Sequence, residues 1–305
     1  MAESDDSRSY DGFEIYTEQE FRYKGLSLLN WSHDQITRIS TKTADERFRA
    51  DFGPNPRVAA QAWEDMQECC QLDPCQCPVE HFFYSLNFLR LYPTETQREN
   101  KWNRCANYLR DPGWDVVGKI AQLKRRKIYW PEDNFGTDIW AMSVDGVHFR
   151  TEEPSHPELP KDPSYFTYKH HCAGFNYEIA LSLRDTRCHW LNGPFKAGTY
   201  NDIKIFKECG LLAKLRQTGK KVIADSGYTG YPDVVSRYNS LDTEEVREFK
   251  SRARMRHEQF NGKLKVYNCL SSDFRHDRDK LQLCFEAVAV LVCYGMELGN
   301  PLYDT

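Results

Sequence analysis

The chain has 305 residues, about twice a typical domain of roughly 150, so we expect two compact parts. Its 41 Lys and Arg against 45 Asp and Glu give a net charge of −4. The chain therefore lacks the strongly basic composition by which many nucleic-acid-binding proteins are recognised. A hydrophobic content of 40% supports a large core and excludes a mainly disordered chain. The longest apolar run, residues 287–296, is too short to cross a bilayer, so we expect no membrane span.

The chain order predicts three regions with different patterns: a polar, partly ordered extension over residues 1–55, a helical domain over 56–135 and an α/β domain over 136–305. In the helical domain, Thr94 and Gln97 form a capping box, and Asp111-Pro112 is typical of the start of a further helix. These two helices are compatible with a helix-turn-helix that reads DNA and with a lobe that only packs on its neighbour.

The α/β domain is predicted from short strands, turn signals and two long helical patterns. The predicted elements are strands over Asp138–Phe149, Asn176–Leu183, Cys188–Leu191 and Val222–Ala224, and helices over Asn201–Arg216, from Asp242 (paired with Glu245 as a cap) to Lys265, and over Leu281–Leu298. Strands followed by helix, strand and helix indicate a mixed sheet.

Three carboxylates stand out by position. Asp145 interrupts a strand, where an ionised carboxylate is costly to bury without a partner, and Gly146 beside it permits a close approach. Asp225 directly follows a strand, and Glu258 lies on the long helix. Each alone is more simply a cap, turn or surface residue, but together they suit Mg²⁺ or Mn²⁺, and two such ions can cleave a phosphodiester.

The helix that carries Glu258 has one apolar and one cationic face. The polar face aligns Arg247, Lys250, Arg254, Asn261 and Lys265 with Glu258. We interpret this face as a DNA-binding surface for phosphates, with a solvated face of internal ion pairs as the alternative.

Four segments in this order resemble the DDE-superfamily endonucleases of PIF/Harbinger-type transposons: Ser143–His148 (SVDGVH), Gly193–Asp202 (GPFKAGTYND), Ile223–Tyr228 (IADSGY) and Arg254–Lys265 (RMRHEQFNGKLK). The resemblance covers roughly residues 80–300. It implies a ribonuclease-H-like catalytic core and assigns Asp145, Asp225 and Glu258 as catalytic metal ligands. It also places the family's Gly-x-x-x-Asp aspartate at Asp202, where a structural helix cap is the alternative. His148 is interpreted as a supporting residue, because strand alternation sends it away from Asp145.

The resemblance implies a nuclear, metal-dependent DNA endonuclease that cuts transposon ends and joins their 3′ ends to target DNA with two Mg²⁺ or Mn²⁺ ions. The implied partners are double-stranded DNA and a separate Myb-like DNA-binding protein, and a homo-oligomer is compatible with it. The alternatives are a host-adopted descendant that binds DNA or protein without cutting, and a nuclease that acts on host nucleic acid.

Two further clusters allow two interpretations each. Cys70, Cys75, Cys77 and His81 have a spacing that a structural Zn²⁺ tolerates, but we favour buried free thiols because the usual C-x₂-C pairs are missing. The eleven cysteines and the acidic, polar start are typical of an intracellular protein without a disulfide framework. Residues 124–127 (KRRK) are compatible with a nuclear import signal or a phosphate contact, and the alternative is a solvated helix end.

Overall fold

The computed structural model describes residues 15–70, 77–131, 138–153, 160–237 and 239–304. The chain forms two compact units. The helical unit takes its residues from Met1–Lys124, Val266–Cys269 and Leu283–Leu298, and the α/β unit takes Arg125–Lys265, Leu270–Gln282 and Gly299–Thr305. Within the described residues, no helix is both long enough and apolar enough to cross a bilayer.

Helices build the first unit almost entirely. In chain order they are α1 (Glu18–Leu28), α2 (His33–Arg38), α3 (Thr41–Phe52), α4 (Pro56–Cys70), α5 (Val79–Leu91), α6 (Glu95–Trp102) and α7 (Ala106–Gln122). The one-turn α8 (Lys124–Lys127) follows and belongs mostly to the second unit. Late in the chain come α12 (Asn268–Ser271), which is divided between the units, and α13 (Arg278–Glu297). Most of α13 belongs to the first unit, where Tyr294 donates a buried hydrogen bond to Asp65 of α4, although its sequence was expected to close the α/β domain.

The described part of the expected N-terminal extension is instead helical, which corrects that expectation. Each helix there has a local start signal: Thr17 with Glu20 and Ser32 with Gln35 form capping boxes, and Ser40 caps α3. These helices carry few apolar residues, so the helical spacing of apolar residues in the sequence is too weak to predict them. Burial of Phe21 and Phe48 in the core shows that tertiary packing stabilises them.

The helix break in the second half of this unit also differs from expectation. The capping box of Thr94 and Gln97 is confirmed, but α7 begins at Ala106 and continues through Pro112. The turn lies earlier, at Asn103, which takes a left-handed conformation. Buried Arg98 donates to the Leu109 carbonyl at 2.7 Å, next to the carbonyl that Pro112 deprives of its amide partner. This contact ties the first turns of α7 to α6.

The second unit is built on a mixed sheet with strand order β2-β3-β1-β5-β6, in which β4 also pairs with β3. The strands are β1 (Trp140–Arg150), β2 (Phe166–Thr167), β3 (Cys172–Ser182), β4 (Cys188–Lys196), β5 (Lys221–Ala224) and β6 (Val235–Ser236). β1 is antiparallel to β3 and parallel to β5. The mixed α/β architecture is the one expected, and it is consistent with a ribonuclease-H-like domain.

Successive side chains of a strand point to opposite faces of the sheet, and here both faces carry apolar side chains. Helices therefore cover both faces. On one face α9 (Asp202–Glu208) and α10 (Leu211–Thr218) pack on Val144, Val222 and Ala224. On the other face Ala253 of α11 (Glu244–Lys265) packs on Ile223. The alternation therefore places Asp145, which follows Val144, on the face that α11 covers.

Two helix boundaries in this unit correct the sequence predictions. The single helix expected over Asn201–Arg216 is divided into α9 and α10 at Gly210, whose φ of +110° an L side chain rarely adopts. Asp242 does not cap α11, because Thr243 accepts the Val246 amide at the helix start. The Asp242 carboxylate instead accepts a hydrogen bond from Lys250 at 2.7 Å.

Candidate active site

Asp145 and Asp225 lie side by side where the parallel pair of β1 and β5 ends. Val144 of β1 and Ala224 of β5 are the last two residues that pair between these strands. Asp145 is the next residue after Val144, and Asp225 is the next residue after Ala224. Asp145 Oδ1 accepts the Gly146 amide at 2.9 Å and Asp225 Oδ1 accepts the Gly227 amide at 2.8 Å, so local backbone bonds orient both carboxylates. Residues 80 positions apart thus meet through strand register.

Asp202 joins these two carboxylates from the start of α9. Its neighbour Asn201 is the residue that caps the helix, through the Lys204 amide at 3.1 Å, so the carboxylate of Asp202 is not used as the cap. This carboxylate lies directly against Gly146, where a Cβ atom would overlap Asp202 Oδ1. Gly146 therefore provides the close approach that its position in the sequence predicts.

The three aspartates repel one another in a poorly solvated place. Burial, with the charges of Asp225 and Asp202, raises the pKa of Asp145 to about 6, against the hydrogen bond from Gly146 and the charge of Lys169. Burial also raises the pKa of Asp202, with Asp225 contributing. Lys169 Nζ is the nearby counter-charge, 3.8 Å from Asp202 Oδ2. Such a cluster favours a bound cation.

Two buried residues beneath this cluster were missed by sequence reasoning. Glu178 on β3 is 1% exposed and accepts the Trp190 indole N–H at 3.0 Å. Burial, and then the charge of Asp202, raise the pKa of Glu178 to about 8. The hydroxyl of Tyr228 is fully buried, and its pKa is raised by burial and by the charges of all four carboxylates. Glu178 interrupts an apolar strand as Asp145 does, so the same signal was available for it.

Glu258 stands apart from the three aspartates. Its side chain is 66% exposed and pairs with Arg254 at 3.4 Å, one turn back on α11. The adjacent His257 is buried beside the backbone of Ser143, so α11 itself lies against the strand that carries Asp145. Across the described ranges, no three His, Cys, Asp or Glu side chains already surround one point as ligands of a single ion would.

The predicted DNA-binding residues on α11 fall into two groups. Arg254 and Lys265 are exposed, while Arg247 and Asn261 are half-buried. Lys250 is 6% exposed, because its ammonium group binds Asp242 and the Arg237 carbonyl, each at 2.7 Å. Lys250 is therefore a structural residue that anchors the start of α11, which corrects its place on a phosphate-binding face.

The other predicted positions lie outside the carboxylate cluster. His148 bonds Asn176 through Nδ1 at 3.0 Å and Cys172 through Nε2 at 3.4 Å. Of the zinc candidates, Cys75 lies outside the described residues. Cys70 approaches the Lys119 carbonyl of α7 at 3.9 Å, whereas the His81 ring packs on Tyr108, about 16 Å earlier along the same helix. The structure therefore does not bring His81 to Cys70.

The burial of Glu178 gives the α/β unit a pH-dependent stability. Its folded pKa lies above the unfolded value, so the folded state holds a proton that the unfolded state loses as pH rises from about 4.5 to about 8. We expect Glu178→Gln, which keeps an acceptor for Trp190, to match wild type at pH 4 and to exceed its unfolding free energy by roughly 4 kcal/mol at pH 8.5. Urea denaturation at both pH values measures this. Glu208→Gln, at an exposed position of α9, is the control, and an unchanged pH dependence in Glu178→Gln would contradict the assignment.

The fold and the site together define a class: α/β domains that assemble carboxylates at the ends of sheet strands. Residues 144–292 match a family model described as DDE superfamily endonuclease. That stretch contains all three aspartates of the cluster and Glu258. No curated protein and no solved structure matched the chain.

Proposed function

We propose that this protein is a metal-dependent DNA endonuclease of the PIF/Harbinger transposase type, with a ribonuclease-H-like catalytic domain. The observation that carries the proposal is the convergence of Asp145, Asp202 and Asp225 within the segment that matches the endonuclease family. Its substrate is double-stranded DNA at transposon ends, and the freed 3′ ends are joined to target DNA in the same site.

The residues present fit divalent cations. The donors are carboxylate oxygens, which Mg²⁺ and Mn²⁺ prefer. Burial, and after it the repulsion between these carboxylates, raises the pKa of Asp145. Asp145 and Asp225 would hold the metal, with Glu258 as the third catalytic ligand and Asp202 as an additional carboxylate. When bound, two such ions activate an attacking oxygen and stabilise the leaving oxygen at a phosphodiester.

The protein's own side chains prepare this site. The Gly146 and Gly227 amides hold the two strand-end aspartates in place. Glu178 and Tyr228 are buried close to the cluster. To bind a metal ion, Glu258 must give up its ion pair with Arg254. Both side chains of this pair are exposed, so the pair is weak.

DNA contacts and partners belong to the same proposal. Arg254, Asn261 and Lys265, with half-buried Arg247, offer groups for the DNA backbone along α11. The pair α6–α7, with its turn at Asn103, is the candidate helix-turn-helix. We further propose a Myb-like DNA-binding partner, a homo-oligomer, and nuclear import through the basic segment of α8.

The second candidate function is a host-adopted descendant that binds DNA or protein without cutting. The Arg254–Glu258 ion pair and the absence of a formed three-ligand group among the described residues favour it. It shares the DNA-facing residues with the first candidate, so binding does not separate the two. Cleavage does.

The test is nicking of supercoiled plasmid DNA, and of DNA carrying the element's ends, by the full chain. We expect nicking with Mg²⁺ or Mn²⁺ and none in EDTA. Equal nicking with and without metal contradicts the catalytic proposal. DNA binding without nicking in either metal supports the non-cutting descendant instead.

A further inference from the structure

The turn between β2 and β3, residues 168–171, brings a lysine to the carboxylate cluster. Lys169 Nζ lies 3.8 Å from Asp202 Oδ2, and its charge lowers the pKa of both Asp145 and Asp202. Its side chain is 72% exposed, whereas that of Asp202 is 26% exposed. The neighbouring Tyr168 is 84% exposed, so this turn is accessible from solvent. Lys169 is thus a solvent-accessible lysine that partly neutralises the negative charge of the aspartate cluster.

The position of this turn is fixed by a chain of contacts that also fixes Asp202. The His170 ring stacks on His148, with centroids 4.6 Å apart and planes at 12°. His148 Nδ1 bonds the side chain of Asn176 at 3.0 Å. Asn176 in turn donates to the Tyr200 carbonyl at 2.7 Å, two residues before Asp202. His148 of β1 and Asn176 of β3 therefore hold both the turn that carries Lys169 and the segment that leads to Asp202.

The charge around the stacked imidazoles is positive. Burial lowers the pKa of His148 to about 4 and lowers that of His170. The charges of Arg150 and Lys265 lower the pKa of both rings, so these two cations lie near the pair. Lys169, Arg150 and Lys265 thus surround two neutral rings beside the carboxylates.

We propose that Lys169 is a phosphate-contacting residue for the strand to be cut, an inference that rests on the proposed function. Without metal, Lys169 is the counter-charge of Asp202. A phosphodiester brought to three carboxylates is repelled, and a lysine bound to one of them competes with a divalent cation for it. With the carboxylates neutralised by bound divalent cations, Lys169 would be free to leave Asp202 and to donate to a non-bridging oxygen of the phosphate.

This exchange predicts that Lys169→Ala moves two affinities in opposite directions. Mn²⁺ binding without DNA, measured by calorimetry, should become roughly two- to fivefold tighter, because a competing exposed cation is removed. Binding of a labelled DNA duplex with Ca²⁺ in place of Mg²⁺ should weaken. The slope of the logarithm of DNA affinity against the logarithm of salt concentration should fall in magnitude by about one, because one phosphate contact is lost. Lys169→Arg should keep the wild-type slope.

Lys196→Ala is the matched control, since Lys196 is exposed and pairs with an aspartate, Asp162, at 3.3 Å in the same unit. It should leave both affinities and the slope unchanged. Weaker Mn²⁺ binding by Lys169→Ala, or an unchanged salt slope, overturns the role of Lys169. A wild-type chain that neither binds Mn²⁺ nor nicks DNA defeats the proposed function itself. A wild type that does both, with Lys169→Ala behaving identically, defeats only this inference.

Discussion

Asp225→Asn is expected to lower the rate of Mg²⁺-dependent DNA nicking by on the order of 10³-fold, about 4 kcal/mol of barrier. Asparagine has the same size and can still accept the Gly227 amide, which Asp225 accepts at 2.8 Å, so the turn after β5 is retained. What is lost is one anionic ligand beside Asp145. The measurement is the initial nicking rate under saturating Mg²⁺ and Mn²⁺.

Asp233→Asn provides the control for this substitution. Asp233 lies a few residues further along the chain, has a side chain that is 53% exposed and pairs with Arg216 at 3.1 Å. It should nick DNA like wild type. If wild type and Asp225→Asn cut equally, the assignment of Asp225 as a metal ligand fails.

Glu258→Gln is expected to lower the nicking rate by on the order of 10²-fold or more, although the carboxylate is exposed and paired with Arg254. The reason is that metal ligation would need the charge of Glu258, while the ion pair with Arg254 contributes little to stability. Unfolding by urea should therefore be nearly unchanged. The nicking rate and the unfolding free energy are measured on the same preparation.

The same helix contains a close control for Glu258. Glu248 pairs with Arg252 at 3.4 Å, also one turn away, and its side chain is likewise 66% exposed. Glu248→Gln should retain full activity. Asp202→Asn completes the comparison: if it is inactive while Glu258→Gln cuts like wild type, the third ligand is Asp202 and the assignment of Glu258 is wrong.

Sequence patterns located most elements because their signals are local. The Thr94–Gln97 capping box, the buried run of α13 and the strands on either side of Asp145 and Asp225 follow from residues close in the chain. The errors also have physical causes. Pro112 lies inside α7 and does not start a helix, because the helix begins earlier, at Ala106. The polar N-terminal helices gain their stability from tertiary packing, which the periodicity of the sequence does not reveal.

By itself, the sequence determined which residues carry unusual chemistry: a charged residue inside a strand, an aspartate after a strand, and glycines where the backbone must come close. Only the tertiary structure decided which of these residues meet. Strand register sets Asp145 beside Asp225, Asn201 takes the capping role that Asp202 was considered for, and Asp242 draws Lys250 away from the surface. Charge interactions extend a few ångströms in space and ignore separation along the chain. For this reason the near-neutral composition gave no indication of the aspartate cluster or of the lysine beside it.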